Sequence, residues 1–264
     1  MIWKFVQACS AGRSHIENDE DCQDECLAYT SDTPDGEEYF IALVSDGAGS
    51  ASNGGDGAAV ACAMGSIVIE KWIREAGFLS DITPEVLKDR IAEIRQHICQ
   101  EAESKKLTPR DFACTLLGGI VSLKIAVFFQ VGDGAIVIND GDDLRPVFWP
   151  EKGEYDNMTY FITDEDVSEH IQIEVSVSPP DEIAIFSDGL QRLALVYHSK
   201  TAYKPFFEPM FDTLRKVSDR ITCYKLSEQL IRFLDSPKIN ERTDDDKSLV
   251  LATRRYYKKE EFII

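Results

Sequence analysis

Three apolar runs in this chain stop at an aspartate followed by glycine: IALVSDG at 41–47, FFQVGDG at 128–134 and IAIFSDG at 183–189. A fourth acidic position, the run Asp244, Asp245 and Asp246, stands just before the apolar stretch SLVLAT. Short apolar runs rich in Val, Ile and Phe read as buried strands, so these carboxylates fall at strand ends. There a carboxylate can project out of the sheet, and glycine lets the backbone turn sharply and expose its carbonyl. Any single Asp–Gly reads most simply as a hairpin corner. Several together demand a fold whose strand ends converge, and convergence would make a cage of hard oxygen ligands for Mg²⁺ or Mn²⁺.

The rest of the chain fits a compact fold of that kind. With 264 residues, 44% of them hydrophobic, it buries a sizeable core. No low-complexity linker or solenoid-length repeat divides it, so residues 1–264 read as a single domain. Acidic residues outnumber basic ones 47 to 28, and the net charge of -19 repels nucleic acid and anionic lipid while gathering cations. Neither a nucleic-acid nor a membrane partner is expected. The start, MIWKF, lacks the apolar core of a signal peptide, and the seven cysteines are odd in number, which points to a reduced, cytoplasmic protein. CTLLGGIVSLKIAVFFQVG, at 114–132, approaches membrane-spanning length, but Lys124, Gly118 and Gly119 interrupt it and its composition favours two strands turning near Ser122.

Strands are predicted near 2–9, 26–30, 39–45, 112–121, 125–131, 134–139, 144–149, 171–175 and 182–187, with a last one in SLVLATR. One helix is predicted from Ser52 or Asn53 to before Gly77. A second starts at Thr83–Pro84 with Leu87, Ile91, Ile94 and Ile98 at helical spacing, and two more cover about 206–218 and 224–235. Strands in adjacent short runs with segregated helices argue for an α+β fold of hairpin-rich antiparallel sheets flanked by helices.

Four blocks in this order resemble the metal-dependent serine/threonine protein phosphatases of the PPM, or PP2C, type, in their compact bacterial branch: HIENDEDCQDE, VSDGAGS, VGDGAIVI, and FSDGL followed by TDDDKSL. FACTLLGGIV is similar to the small-residue and threonine strand between the family's second and third blocks. The resemblance spans residues 15–249. It implies a four-layer αββα sandwich, two central antiparallel sheets with helices outside, and two divalent cations, Mn²⁺ or Mg²⁺, with a weaker third. Carried over, Asp46 bridges two metals and the Gly47 carbonyl binds one of them. Asp188 and Asp245 complete the other shell, Asp24 holds a metal-bound water, and Asp133 serves the weaker third site. The implied reaction is hydrolysis of phosphoserine and phosphothreonine monoesters in a phosphorylated protein substrate. Paired metals about 3.5 to 4 Å apart activate a water for this without a covalent enzyme intermediate.

The chain departs from the family pattern at three places. Gln23–Asp24 stands where many members have Glu–Asp, so an amide occupies a candidate second-metal ligand position, and Ala48 stands where some relatives have histidine. For the phosphate contact both Arg13 and His15 are candidates. Two other functions compete with the phosphatase reading: a pseudophosphatase acting as a regulatory binding module, and a hydrolase of small phosphoesters. Cys22 and Cys26 lack the second ligand pair of a zinc site and read as reduced thiols. His97 reads as a helix-flank residue, while His170 and His198 have no motif around them. The acidic stretches EKGEYDN and DEDVSEH read first as solvated loops, with a role at the border of the cleft as the alternative, and the tail RRYYKKEEFII reads first as a final packed strand, with docking of a partner as the alternative.

Overall fold

Interior strands of this protein are buried on both faces, which is why they read as unbroken apolar runs rather than alternating ones. The computed structural model describes residues 2–75, 82–150 and 159–256. Its strands are β1 (Lys4–Ser10), β2 (Asp24–Asp32), β3 (Glu38–Asp46), β4 (Leu116–Val121), β5 (Ala126–Val131), β6 (Ala135–Asp140), β7 (Asp143–Pro146), β8 (Gln172–Ser176), β9 (Glu182–Phe186), β10 (Leu195–Val196), β11 (Thr201–Ala202) and β12 (Lys247–Thr253). The helices are α1 (Arg13–Glu17), α2 (Gly54–Arg74), α3 (Pro84–Ser104), α4 (Val167–His170), α5 (Gln191–Ala194), α6 (Lys204–Arg215), α7 (Arg220–Leu234) and α8 (Pro237–Asn240). Two five-stranded antiparallel sheets form, one in the order β2-β3-β4-β5-β8 and the other in the order β1-β12-β9-β6-β7.

Alternation along each central strand assigns its side chains to layers. In β3, Tyr39, Ile41 and Leu43 pack toward α2 and α3, while Phe40, Ala42 and Val44 pack between the sheets. In β12, Val250 and Ala252 join that inter-sheet core, while Leu249 and Leu251 face Phe207, Phe211 and Leu214 of α6 and Leu230 and Leu234 of α7. The result is the αββα sandwich implied by the sequence. Side chains of Leu size or larger each contribute about 1.5–3 kcal/mol on burial, so three such cores carry most of the driving force for folding.

The helix assignments follow from local chemistry. The Thr83 hydroxyl accepts the Val86 N–H at 3.3 Å, Pro84 occupies the first turn, and Leu87, Ile91, Ile94 and Ile98 form the buried stripe expected of α3. Asp219 caps α7 by accepting the Thr222 N–H at 2.8 Å, which starts that helix earlier than its apolar pattern suggests. Glycines 118 and 119, which argued against a membrane span, stand opposite Phe129 and Phe128 across the β4–β5 ladder, where a larger residue would meet the rings. Among the described residues no helix is long and apolar enough to cross a membrane.

Three expectations need correction. The strand expected from 112 begins only at Leu116, because Pro109–Phe112 winds into a 3₁₀ turn in which the Asp111 carboxylate accepts from both the N–H and the hydroxyl of Thr108. The strand expected over 144–149 covers Asp143–Pro146, with one further backbone bond to β6 from the Val147 N–H to the Ile136 carbonyl at 2.7 Å. Of the tail, Arg254–Tyr256 has no regular structure and the remainder lies outside the described residues, as does EKGEYDN. The short elements α1, α4, α5, α8, β10 and β11 span five residues or fewer, too few for periodicity to reveal.

Candidate active site

Strand pairing assembles the acidic cluster. β2 and β3 run antiparallel in a register that sets Asp24 opposite Asp46. In the other sheet Phe186 pairs with Leu249, so the end of β9 and the start of β12 coincide and bring Asp188 near Asp245. Asp133 lies in the crossing from β5 to β6, from one sheet to the other, entered through Gly132 at φ +110, a conformation that L side chains resist. Thus both sheets deliver carboxylates to one end of the sandwich. Asp46, Gly47, Asp133, Asp188 and Asp245, joined by His15, Thr115 and Thr159, line a cavity of about 240 Å³. Larger cavities lie elsewhere, but the biggest charged groups of one, Arg215 and Arg254, are already ion-paired with Glu182 and Asp181.

The glycine after each strand-end aspartate lets backbone pass close by. A Cβ on Gly47 would come within 2.4 Å of the Gly54 backbone, so the first turn of α2 sits directly against the Asp46–Gly47 turn. A Cβ on Gly189 would strike the Asp246 carbonyl, which locks the turn after β9 to the start of β12. Thr115 fixes Asp46 from the other side. Its hydroxyl accepts the Asp46 N–H at 2.9 Å and its own N–H donates to the Asp46 carbonyl at 2.8 Å. The Asp133 carboxylate accepts the Thr159 hydroxyl at 2.8 Å, and the Gln191 amide donates to the Asp133 carbonyl.

Burial and crowding raise the pKa values of this cluster together. Burial holds Asp46 well above the usual carboxylate range, and Asp24, Asp188 and Asp245 push it further. Burial, then the charges of Asp133 and Asp245, pushes Asp188 up to about 7. Asp24, also pushed up to about 7, is raised chiefly by burial, while the Ser187 and Ser248 hydroxyls beside it pull the other way without either closing a well-formed hydrogen bond. Burial likewise raises Asp245.

The remaining candidates separate clearly. Asp24 is buried behind Asp46, off the cavity wall. Gln23 contributes backbone to the site's edge: its N–H donates to Asp246 at 2.5 Å and its carbonyl accepts the Gly47 N–H at 3.1 Å, while its side-chain oxygen is buried without a partner and off the cavity wall. Arg13 points outward to Glu17 and Asp244, whereas His15 lines the cavity. Asp245 and Asp246 both reach the cavity wall, but the Asp246 carboxylate is also held by backbone N–H groups of the loop that follows β1. Cys26 meets Cys9 across the sheets, the sulfurs 3.2 Å apart and unbonded, rather than Cys22. Sequence reasoning missed the clamp role of Thr115, although a lone threonine between Cys114 and an apolar strand, opposite a strand-end acid, is the signal that carried it.

Among the described residues no three acidic, histidine or cysteine side chains already converge as a finished ligand set. Carboxylates that line one cavity and carry raised pKa values, with a buried, unpartnered oxygen on Asp188 and two more on Asp24 just off the wall, nonetheless fit hard divalent cations, whose charge would relieve their mutual repulsion. Asp46, Asp188 and Asp245, with the Gly47 carbonyl, are the groups able to hold such ions at the cavity wall.

Residues 11–235 match the family described as Protein phosphatase 2C. Serine/threonine-protein phosphatase 3 of Escherichia coli (strain K12) is 40% identical over 254 residues, 96% of this chain and 98% of that protein. The fold is similar to the catalytic domain of the serine threonine protein phosphatase PstP in complex with two manganese ions, with a TM-score of 0.62 at 12% identity over 95% of this chain and 97% of that one. It is also similar to serine/threonine phosphatase Stp1 from Staphylococcus aureus, with a TM-score of 0.58 at 13% identity over 96% of this chain and 95% of the other. Sandwich architecture, converging acids and a match over most of the length agree: this chain belongs to the protein phosphatase 2C family.

Proposed function

We propose that the cleft hydrolyses phosphoserine and phosphothreonine monoesters in proteins with the help of two divalent cations, Mn²⁺ or Mg²⁺, and a weaker third beside Asp133. The observation that carries this reading is the gathering of carboxylates from both sheets, their pKa values raised together, around one cavity. The full-length relationship to a bacterial protein named as a serine/threonine phosphatase supports the substrate class. When bound, the cations lower the pKa of a water and neutralise charge on the phosphoryl oxygens.

The chain's own residues supply position. Asp46, Asp188 and Asp245, with the Gly47 carbonyl, would hold the two ions. Asp24, behind Asp46, would accept from a water, and the Thr115 clamp keeps the Asp46 carboxylate aimed into the cavity. His15, rather than the outward-facing Arg13, would meet the substrate. We take residues 1–264 as one phosphatase unit working in the cytoplasm.

A pseudophosphatase would not need to retain Asp46, Asp188 and Asp245, and their joint presence on the cavity wall favours catalysis. The test compares a phosphoserine peptide, p-nitrophenyl phosphate and a nucleotide, each with and without Mn²⁺. Mn²⁺-dependent turnover of the peptide is the expected result. Turnover of none identifies a binding module, and turnover of the nucleotide alone a small-molecule phosphoesterase.

A further inference from the structure

Loss of a serine or threonine alkoxide from phosphorus is slow unless the departing oxygen receives a proton, and a positioned side chain supplies such a proton at a gain of about 10² to 10⁴ in rate. Ala48 follows the Asp46–Gly47 turn on the cavity wall and has no proton to give. Among the described residues that line the cavity there is no lysine or arginine, and His15 is the one imidazole. Its side chain is only 14% exposed.

The surroundings of His15 orient it. Asp246, 2% exposed, accepts the N–H of Gly12 at 2.6 Å and the N–H of Gln23 at 2.5 Å, so backbone from both ends of the loop after β1 fixes its carboxylate. Oδ1 of Asp246 lies 2.8 Å from His15 Nδ1. That distance makes an ion pair with a protonated ring, although the angle at Nδ1 falls short of a hydrogen bond. Glu20, exposed and 3.6 Å from Nε2, is beyond hydrogen-bond reach. A carboxylate anchored by two N–H groups and facing Nδ1 directs a proton onto that nitrogen and frees Nε2 for the substrate, the arrangement by which an aspartate orients a catalytic histidine elsewhere.

We infer that His15 donates the proton to the leaving serine or threonine oxygen, with Asp246 as its positioning residue. The inference rests on the phosphatase reading above. The bond between phosphorus and the side-chain oxygen breaks, its electron pair stays on that oxygen, and the oxygen takes the proton from His15 Nε2. Water adds to phosphorus, and the proton that it sheds returns through solvent to the imidazole. Inorganic phosphate and the free hydroxyl are the products, and the ring ends as it began.

This role differs measurably from simple contact with the phosphate. p-Nitrophenol leaves without protonation, whereas a serine alkoxide does not, so the proton donor matters to one substrate and far less to the other. With Mn²⁺ saturating, His15→Gln is expected to lower kcat for a phosphoserine peptide by about 10²-fold or more and to lower kcat for p-nitrophenyl phosphate by less than about tenfold. His15→Asn serves as a second variant should the first fold poorly. Asp246→Asn should shift the ratio of the two rates in the same direction, with melting temperature followed to record the loss of its loop contacts. Calorimetry should find Mn²⁺ affinity in His15→Gln within about twofold of wild type, since the imidazole is not assigned to the ions. Equal losses on both substrates, a change in KM alone, or a collapse of Mn²⁺ affinity would each overturn the proposal while leaving the phosphatase reading intact. A wild-type protein inactive on both substrates would overturn the two together.

Discussion

At the scale of single residues, the site is a set of acids held close against their repulsion. Replacing Asp46 with Asn keeps the volume and removes one negative charge from the most strongly perturbed position. Turnover of a phosphopeptide should fall by orders of magnitude, while the melting temperature in EDTA stays level or rises. A marked fall in that melting temperature would show that Asp46 serves the fold instead. Thr115→Val tests the clamp: it preserves shape but leaves the Asp46 N–H without its acceptor, at a cost of about 1–3 kcal/mol, read in urea unfolding. Asp46, Asp133 and Asp188 were legible because a charge at the end of an apolar run has no reason in packing. Asp245 was separable from Asp244 and Asp246 only by the family's register, and the structure adds a physical distinction: both Asp245 and Asp246 line the cavity, but the Asp246 carboxylate is already occupied by the Gly12 and Gln23 N–H groups. The choice between Arg13 and His15 was not legible at all. It depends on which way the one-turn helix α1 faces, and five residues carry no amphipathic signal strong enough to fix that.

At the scale of elements, the turns after strands do more than reverse the chain. The turn after β9 and the entry to β12 touch through the Gly189 and Asp246 backbones, so the two elements position Asp188 and Asp245 as one unit. Gly189→Ala should force them apart, costing roughly 1–3 kcal/mol from overpacking and lowering Mn²⁺ affinity as well. Unchanged Mn²⁺ binding in calorimetry would mean that the two carboxylates are positioned independently. Strands and long helices were readable from the sequence because each buries a periodic face: the stripe Leu87, Ile91, Ile94, Ile98 defines α3 as plainly in the sequence as in the fold. The false start of β4 has the opposite cause. Phe112 and Ala113 are as apolar as a strand, but Pro109 and the Asp111 side chain commit that segment to a 3₁₀ turn, a local competition that apolar content does not register.

At the scale of the whole molecule, cation binding and folding are linked. In the metal-free protein Asp24 and Asp188 sit near pKa 7, above the value of about 4 for an unfolded chain. Between those values the folded state binds more protons than the unfolded one, so its stability is highest at the acidic end and is lost as pH rises toward about 7. Melting temperature in EDTA should therefore fall from about pH 5 to about pH 8, and saturating Mn²⁺ should flatten or reverse that slope. A flat profile in EDTA would show that the carboxylates are not strained in the folded state. The position of β12 extends this linkage to biosynthesis. It lies between β1 and β9, pairing residues 4–10 with 247–253, and β1 has no other partner in its sheet. During translation at roughly 5–20 residues per second, the first strand must wait on the order of ten seconds or more for its neighbour. For the last part of that interval Asp188 has emerged without β12, so the pairing of Phe186 with Leu249 that brings Asp188 near Asp245 forms only once residues 247–253 are made, and the acidic cluster is assembled late in synthesis.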